Sequence, residues 1–393
     1  MIVRLKHLFG RCMPLLLLIL TGLNAKSSEA PWSHWEAYSQ RFIDPQGRVI
    51  DPLGNNRTTS EGQSYALFFA LVNNDRARFD QLLMWTTNNL AGGDMRTHLP
   101  GWLWGKSKEG DWKLLDKNPA ADSDCWIAYD LLEAGKAWKD PAYTAIARKM
   151  LAMIAAKETA DVPGFGLMVM PGLTSLFVHN QVYTLNLSYV PVFLFERFAQ
   201  VDPAGPWGAI AINIPRLARQ SSPRGFAMDW VNYTAHDGVR PAPNPGLVQP
   251  GKKLPPALGS YDAIRVYLWA GMLDPTDRAR MLMLTAVSGM GVYLANHGAP
   301  PEKVSDQGLP MEQDGPVGFS AAVLPYLRAI PGSEQAAAQQ AARVEGQLDK
   351  PSGLYGKDPA YYDQNLVLFA NGFLEGRFRF GPHGELKLEW EHS

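Results

Sequence analysis

Acidic residues recur in this 393-residue chain where apolar helices are expected to begin. Glu61 precedes the run Tyr65 to Val72, in which almost nothing is polar, Asp122 and Asp124 precede a second such run, and Asp262 precedes a third. Tyrosines stand at the corresponding points elsewhere: Tyr189, Tyr261, Tyr361 and Tyr362, with Arg265 just beyond Asp262 and Asp314 before a further apolar run. Two or more carboxyls among flat aromatic rings suit glycoside hydrolysis. One acid protonates the leaving oxygen, and the other serves as base or nucleophile. The competing structural role is capping. Thr58 with Glu61, and Ser60 with Gln63, have the spacing of capping boxes, and carboxylates are favoured at helix N-termini in any case. A helix N-terminus also lowers a carboxyl pKa, so Glu61 serves as an acid only if burial and a neighbour such as Asp122 or Asp124 push it up.

The elements that position these residues read as helical hairpins. Trp32, Trp35, Tyr38 and Phe42 recur at helical spacing, and the Glu61 helix is followed by an amphipathic one from Asp75 to Leu90. Further pairs are expected at 124–138 with 141–157, 189–200 with 205–219, 260–273 with 276–296, and 317–330 with 333–348, broken by Asp-Pro or Pro-Gly corners. A last helix spans 360–374, and residues 377–390 close the chain as a hairpin. Residues 91–120, with Trp102, Trp104 and Trp112, read as a long loop, and loops of that length are usually functional. Counting the first helix with the last gives six hairpins, each pairing an apolar helix with an amphipathic one. The predicted fold is all-α, an (α/α)6 toroid with small β-hairpin additions, forming a single domain over 26–393. The N-termini of its inner helices then open on one face, where the acids and tyrosines gather.

Other chemistries lack their parts. There is no His-Glu-x-x-His, no paired Cys motif and no Gly-x-Ser-x-Gly elbow. Asp122-x-Asp124 lacks the rest of a calcium loop, so neither metal nor cofactor is expected. His179 and His236 stand alone. A net charge of -1 gives no reason to expect nucleic acid. Residues 1–25 read as a secretory leader: Arg4, Lys6 and Arg11, an apolar run from Met13 to Leu23, then Asn-Ala. Its removal takes Cys12 with it and leaves Cys125 alone, with no stable membrane anchor, in a periplasmic or secreted chain.

Five stretches together resemble glycoside hydrolase family eight: Ser60-Glu-Gly-Gln-Ser-Tyr-Ala66, Gly101-Trp-Leu-Trp-Gly105, Ala121-Asp-Ser-Asp-Cys-Trp-Ile-Ala-Tyr129, Asn186-Leu-Ser-Tyr189 and Ser260-Tyr-Asp-Ala-Ile-Arg265. The resemblance runs from about Trp32 to Trp390 and is strongest to cellulases that accompany bacterial cellulose synthase. It implies Glu61 as general acid, Asp262 as general base for inversion, and Asp122 as the acid that holds the sugar ring. It implies Tyr189 near the attacking water, Arg265 as the group that orients the base, Trp102 and Trp104 as stacking platforms, and Tyr361 and Tyr362 at the far subsites. Asp124 is read with Asp122 as part of the groove. The substrate implied is β-1,4-glucan, the partner a cellulose synthase complex. Trp126 stands where many members carry a further acid. A protein that binds and exports glucan without cutting it is the alternative, as is a hydrolase of xylan or chitosan.

Overall fold

The computed structural model describes residues 32–311 and 313–391, so the leader expected at 1–25 lies outside the described residues. In chain order, α1 (Ser33–Phe42) is followed by α2 (Ser60–Val72), α3 (Arg76–Leu90), α4 (Ala121–Ala137) and α5 (Pro141–Lys157). A single turn, α6 (Thr174–Phe177), precedes α7 (Val192–Val201) and α8 (Trp207–Ser221). The second half holds α9 (Ile264–Met272), α10 (Arg280–Ala286), α11 (Ser288–Leu294), α12 (Val317–Arg328), α13 (Glu334–Glu345) and α14 (Tyr361–Glu375).

Helices α2, α4, α7, α9, α12 and α14 form an inner ring. In α2 every residue except Glu61 is buried, and in α12 every residue from Val317 to Leu327 is. Their partners bury one face only. In α3 that face is Phe79, Leu82, Trp85, Thr86 and Leu90, at helical spacing. Around the ring α2 packs on α4, α4 on α7, α9 on α12, α12 on α14 and α14 back on α2. The short turn Leu187–Tyr189 packs against both α4 and α9. The (α/α)6 arrangement is the one expected. Trp126 fills its centre, with ring centroids 5.2 Å from Phe68 and 5.3 Å from both Trp269 and Phe369. The position where an acid was expected in relatives is therefore core here, and Tyr65, 5.9 Å from Trp126, links that core to the site above it.

Four local expectations are corrected. The stretch 91–120 is not a loop: Gly101–Lys106 and Trp112–Pro119 form an antiparallel hairpin, and Thr58 and Thr59 add a third strand opposite Trp104 and Leu103. Gly110, at φ +98°, makes its turn. Helix α7 starts at Val192, not Tyr189, because Pro191 disfavours helical geometry at Val190. Helix α9 starts after Asp262, which sits in a preceding turn. The helix expected over 276–296 is two, α10 and α11, meeting at Val287. The remaining larger β element is a four-stranded antiparallel sheet of Val178–His179, Val182–Leu185, Trp230–Thr234 and Gly238–Ala242.

The crossing of α9 and α12 rests on Gly271. A Cβ there would lie 2.2 Å from the Tyr326 nitrogen and 2.3 Å from the Pro325 carbonyl carbon, both backbone atoms of α12. Gly271→Ala is expected to destabilise the ring by about 1–3 kcal/mol, the usual scale of overpacking in a close-packed core. The check is the thermal midpoint, which should fall by several degrees; an unchanged midpoint would mean the two helices do not meet this closely.

Candidate active site

Glu61 is the second residue of α2, and the structure frees it from capping. Thr59 is the N-cap, its hydroxyl accepting from the Gly62 N–H at 3.1 Å. Gln63, the other acceptor of the expected boxes, turns away to bind the Val49 and Thr86 side of the fold, and Thr58 donates to the Val49 carbonyl. The Glu61 carboxyl points instead at Arg265, on the first turn of α9.

Arg265 is the hub. Its side chain is 1% exposed, and its Nη1 donates to Glu61 Oε2, to the Tyr65 hydroxyl at 2.9 Å and to Asp122 Oδ2 at 3.3 Å. Its Nη2 donates to Asp262 Oδ1 at 2.8 Å and to Ser188 Oγ at 3.0 Å. Three carboxyls from the starts of α2, α4 and α9 thus share one guanidinium. Asp122 is nearly buried at 5% and is further held by the Ser123 N–H at 2.8 Å; the Ser123 hydroxyl meets that of Ser60 at 2.6 Å, joining α4 to α2. Glu61 and Asp262 remain open, at 22% and 25% side-chain exposure.

Asp262 receives a second donor on its other oxygen. Asn186 Nδ2 reaches Oδ2 at 3.1 Å, while Asn186 Oδ1 accepts from the Ser188 N–H at 3.0 Å and hydroxyl at 2.7 Å. Donors on both oxygens fix the orientation of the Asp262 carboxyl. The turn is also tethered from α14, where the Tyr362 hydroxyl donates to the Tyr261 carbonyl at 2.5 Å. Tyr189 lies beside the hub, its ring centroid 5.5 Å from the Arg265 guanidinium carbon, with Trp230 edge-on at 5.9 Å. Burial holds the Tyr189 phenol well above the usual range, so it stays protonated.

The acid–base asymmetry comes from environment. Burial pushes Glu61 up; Arg265 opposes, and the like charges of Asp122 and Asp262 add to the rise, leaving it at about 7. Burial likewise raises Asp122. Here desolvation outweighs the helix dipole, which acts the other way.

Not every expected residue joins the cluster. Asp124 is fully buried on the opposite side of α4, where its carboxyl faces Glu158 behind the ring; burial and Glu158 push it well above the usual carboxylate range. It does not line the groove. Tyr361 is also buried, its hydroxyl 3.4 Å from Thr59 Oγ1, so it packs against the start of α2 rather than forming a far subsite. Tyr362 is the partner that faces the site. Trp104 belongs to a cluster: Trp112 stacks on it at 5.0 Å, Trp85 meets it edge-on, and the Arg48 guanidinium lies 4.4 Å from its centroid. Trp112, 45% exposed, is the outer ring of that stack, while Trp102 is half-buried on the same hairpin. Asp314 is exposed and does not enter the hub. The sequence reading gave no role to Tyr65, Asn186, Ser188 or Asp229. Asn186 and Ser188 lie within a motif already singled out, and Tyr65 is one helical turn beyond Glu61.

Among the described residues no helix is long and apolar enough to cross a membrane, and no group of three or more His, Cys, Asp or Glu is arranged to hold a metal ion. The family model described as glycosyl hydrolases family 8 matches residues 5–375. The chain is 45% identical over 377 residues to an endoglucanase of Xanthomonas axonopodis pv. citri (strain 306), covering 95% of this chain and 93% of that protein. It is 40% identical over 375 residues to an endoglucanase of Escherichia coli (strain K12), covering 95% of each. The crystal structure of an endo-1,4-D-glucanase from Vibrio fischeri ES114 superposes with a TM-score of 0.81 at 36% identity, covering 92% of this chain and 99% of that one. With its ring of helices and its carboxyls gathered at their N-termini, this chain belongs to the glycosyl hydrolases of family 8.

Proposed function

We propose that the chain is an inverting endo-β-1,4-glucanase acting on cellulose-type glucan, with Glu61 as general acid and Asp262 as general base. The observation that carries this reading is the hub: one guanidinium holds the two carboxyls on separate nitrogens, Asp262 hydrogen-bonded on both oxygens and Glu61 lifted to about 7. An inverting enzyme needs about 6.5–9.5 Å between its carboxyls, to admit a water. Water attacks the anomeric carbon and gives its proton to Asp262; the glycosidic C–O bond breaks, and its oxygen takes the proton of Glu61. Asp122, on the neighbouring inner helix α4, is suited to grip a ring hydroxyl, and Tyr189 to donate toward the water. Trp102, and the outer ring Trp112 of the stack on Trp104, on the hairpin that pairs with Thr58 and Thr59 before α2, offer apolar faces for flanking sugars.

The names of the relatives support glucan as substrate, and the positive, apolar and small-residue pattern of 1–25 supports export to the periplasm or beyond. Work alongside a cellulose synthase complex belongs to the same reading, on the resemblance of the five motifs.

Release of reducing ends from carboxymethylcellulose by the chain from Lys26, with viscosity followed in parallel, tests the activity. Turnover with a rapid viscosity drop is expected, and Glu61→Gln or Asp262→Asn should lower kcat by at least about 10²–10⁴-fold, the usual contribution of a positioned acid or base. Retained glucan binding without any turnover in the unsubstituted chain would overturn it. The pH profile gives a second check. Glu61 must be protonated, and its pKa is raised to about 7, so kcat/KM should fall about tenfold per unit above that pH. Asp122→Asn removes a negative neighbour that favours the protonated form of Glu61. The alkaline limb should therefore move to lower pH, measured as kcat/KM against pH; a shift to higher pH would contradict the assignment.

A further inference from the structure

Asp262 lies in a turn outside helix α9, so the regular helix does not hold it. Within the turn the Ile264 N–H reaches the Ser260 carbonyl at 3.0 Å and the Arg265 N–H reaches the Asp262 carbonyl at 3.2 Å. The firmer hold comes from behind. Val182–Leu185 and Trp230–Thr234 are paired antiparallel with Leu185 opposite Val231, so Asn186 and Asp229 leave the sheet at the same end. Asn186 takes the Asp262 carboxyl. Asp229 takes the backbone: its Oδ1 accepts from the Ser260 N–H at 2.7 Å and the Ala263 N–H at 2.8 Å, and its Oδ2 from the Ser260 hydroxyl at 2.6 Å.

Ser260 and Ala263 flank Tyr261-Asp262, so one carboxylate bridges both ends of the two-residue segment that carries the base. Adjacent contacts fix the distance. The Asp229 N–H donates to the Leu258 carbonyl at 2.9 Å, and a Cβ on Gly259 would lie 2.1 Å from the Ala227 carbonyl oxygen, an approach only glycine permits. The Ala227 N–H in turn donates to the Tyr267 hydroxyl of α9 at 3.0 Å.

We propose that Asp229 is a positioning residue of the reaction, a clamp that sets where the Asp262 carboxylate meets the attacking water. The inference rests on the reading of Asp262 as general base. Burial and the nearby Asp262 charge raise the Asp229 carboxyl to about 6, a cost the three donors offset. Because the clamp acts on the base and not on the acid, its loss has a distinct signature.

Three substitutions separate its parts. Asparagine at 229 keeps an oxygen for both backbone N–H groups and offers its amide to the Ser260 hydroxyl; alanine removes all three bonds; glutamate keeps the charge but displaces it by a methylene. Asp229→Ala and Asp229→Glu should each lower kcat about 30-fold or more with KM changed less than about threefold, since a shift of about 1 Å in a reacting group costs on the order of 10²-fold. Asp229→Asn should stay within about fivefold of the unsubstituted chain. On β-cellobiosyl fluoride, water attacks the anomeric carbon, fluoride departs with the bonding electrons, and only the water proton needs an acceptor. The Asp229→Ala defect should persist there, while Glu61→Gln should recover. Hydrogen exchange over residues 258–265 should quicken in Asp229→Ala and not in Asp229→Asn. Normal turnover in both the alanine and glutamate variants, a defect that vanishes on the fluoride, or unchanged exchange in the alanine variant would overturn the clamp. If Asp229→Ala does not fold, Asp229→Glu carries the same test. A chain that shows the exchange pattern but cuts no β-glucan would instead count against the glucanase reading alone.

Discussion

The site depends on one buried cation. Arg265 is taken almost wholly out of water, at a cost of several kcal/mol for such an ion, and its placement is sustained by three carboxyls and two hydroxyls that meet it from α2, α4, the turn before α9 and the turn before α7. The charges do not balance. With every acid ionised the cluster would carry three negative charges against one positive, in a setting where each unpaired charge is costly. Taking up a proton relieves it, and Glu61, desolvated and facing two like charges, is raised to about 7. The acid and the base are thus two answers to one electrostatic problem: Asp262 has donors on both oxygens, and Glu61 has only its share of Nη1.

The ring of helices makes such a cluster available. Inner helices all opening on one face bring together residues 61, 122 and 265, which lie far apart in the chain, and aromatic packing around Trp126 fixes the floor beneath them. Tyr65 spans the two layers, with its ring in the core and its hydroxyl on Arg265. The β additions are part of the same construction. The hairpin beginning at Gly101 pairs with the two residues before α2 and so flanks the acid, and the four-stranded sheet delivers Asn186 and Asp229 behind the base.

Much of this was legible before the structure. Hydrophobic periodicity separated buried from amphipathic helices, and the alternation of the two defined the ring. Periodicity could not orient individual side chains at helix starts. Asp122 and Asp124 are neighbours in sequence, yet residues two apart on a helix point about 200° away from each other, so only one can face the groove. Tyr361 and Tyr362 divide in the same way, one packed under α2 and one over the base turn. Trp104 was read as a stacking platform in a loop because its partners, Trp112, Trp85 and Arg48, come from separate segments that only tertiary pairing brings together. Asp229 gave no signal, since a carboxylate that binds backbone thirty residues away has no local pattern.

The central claim is that a water between Asp262 and Glu61 attacks the anomeric carbon directly. The most direct measurement is the anomeric configuration of the first product from a soluble β-1,4-linked oligosaccharide, followed by proton NMR before mutarotation. The account predicts that the α-anomer appears first and the β-anomer grows in later. Initial release of the β-anomer would mean a covalent intermediate on one carboxylate, and would contradict the role assigned to Asp262.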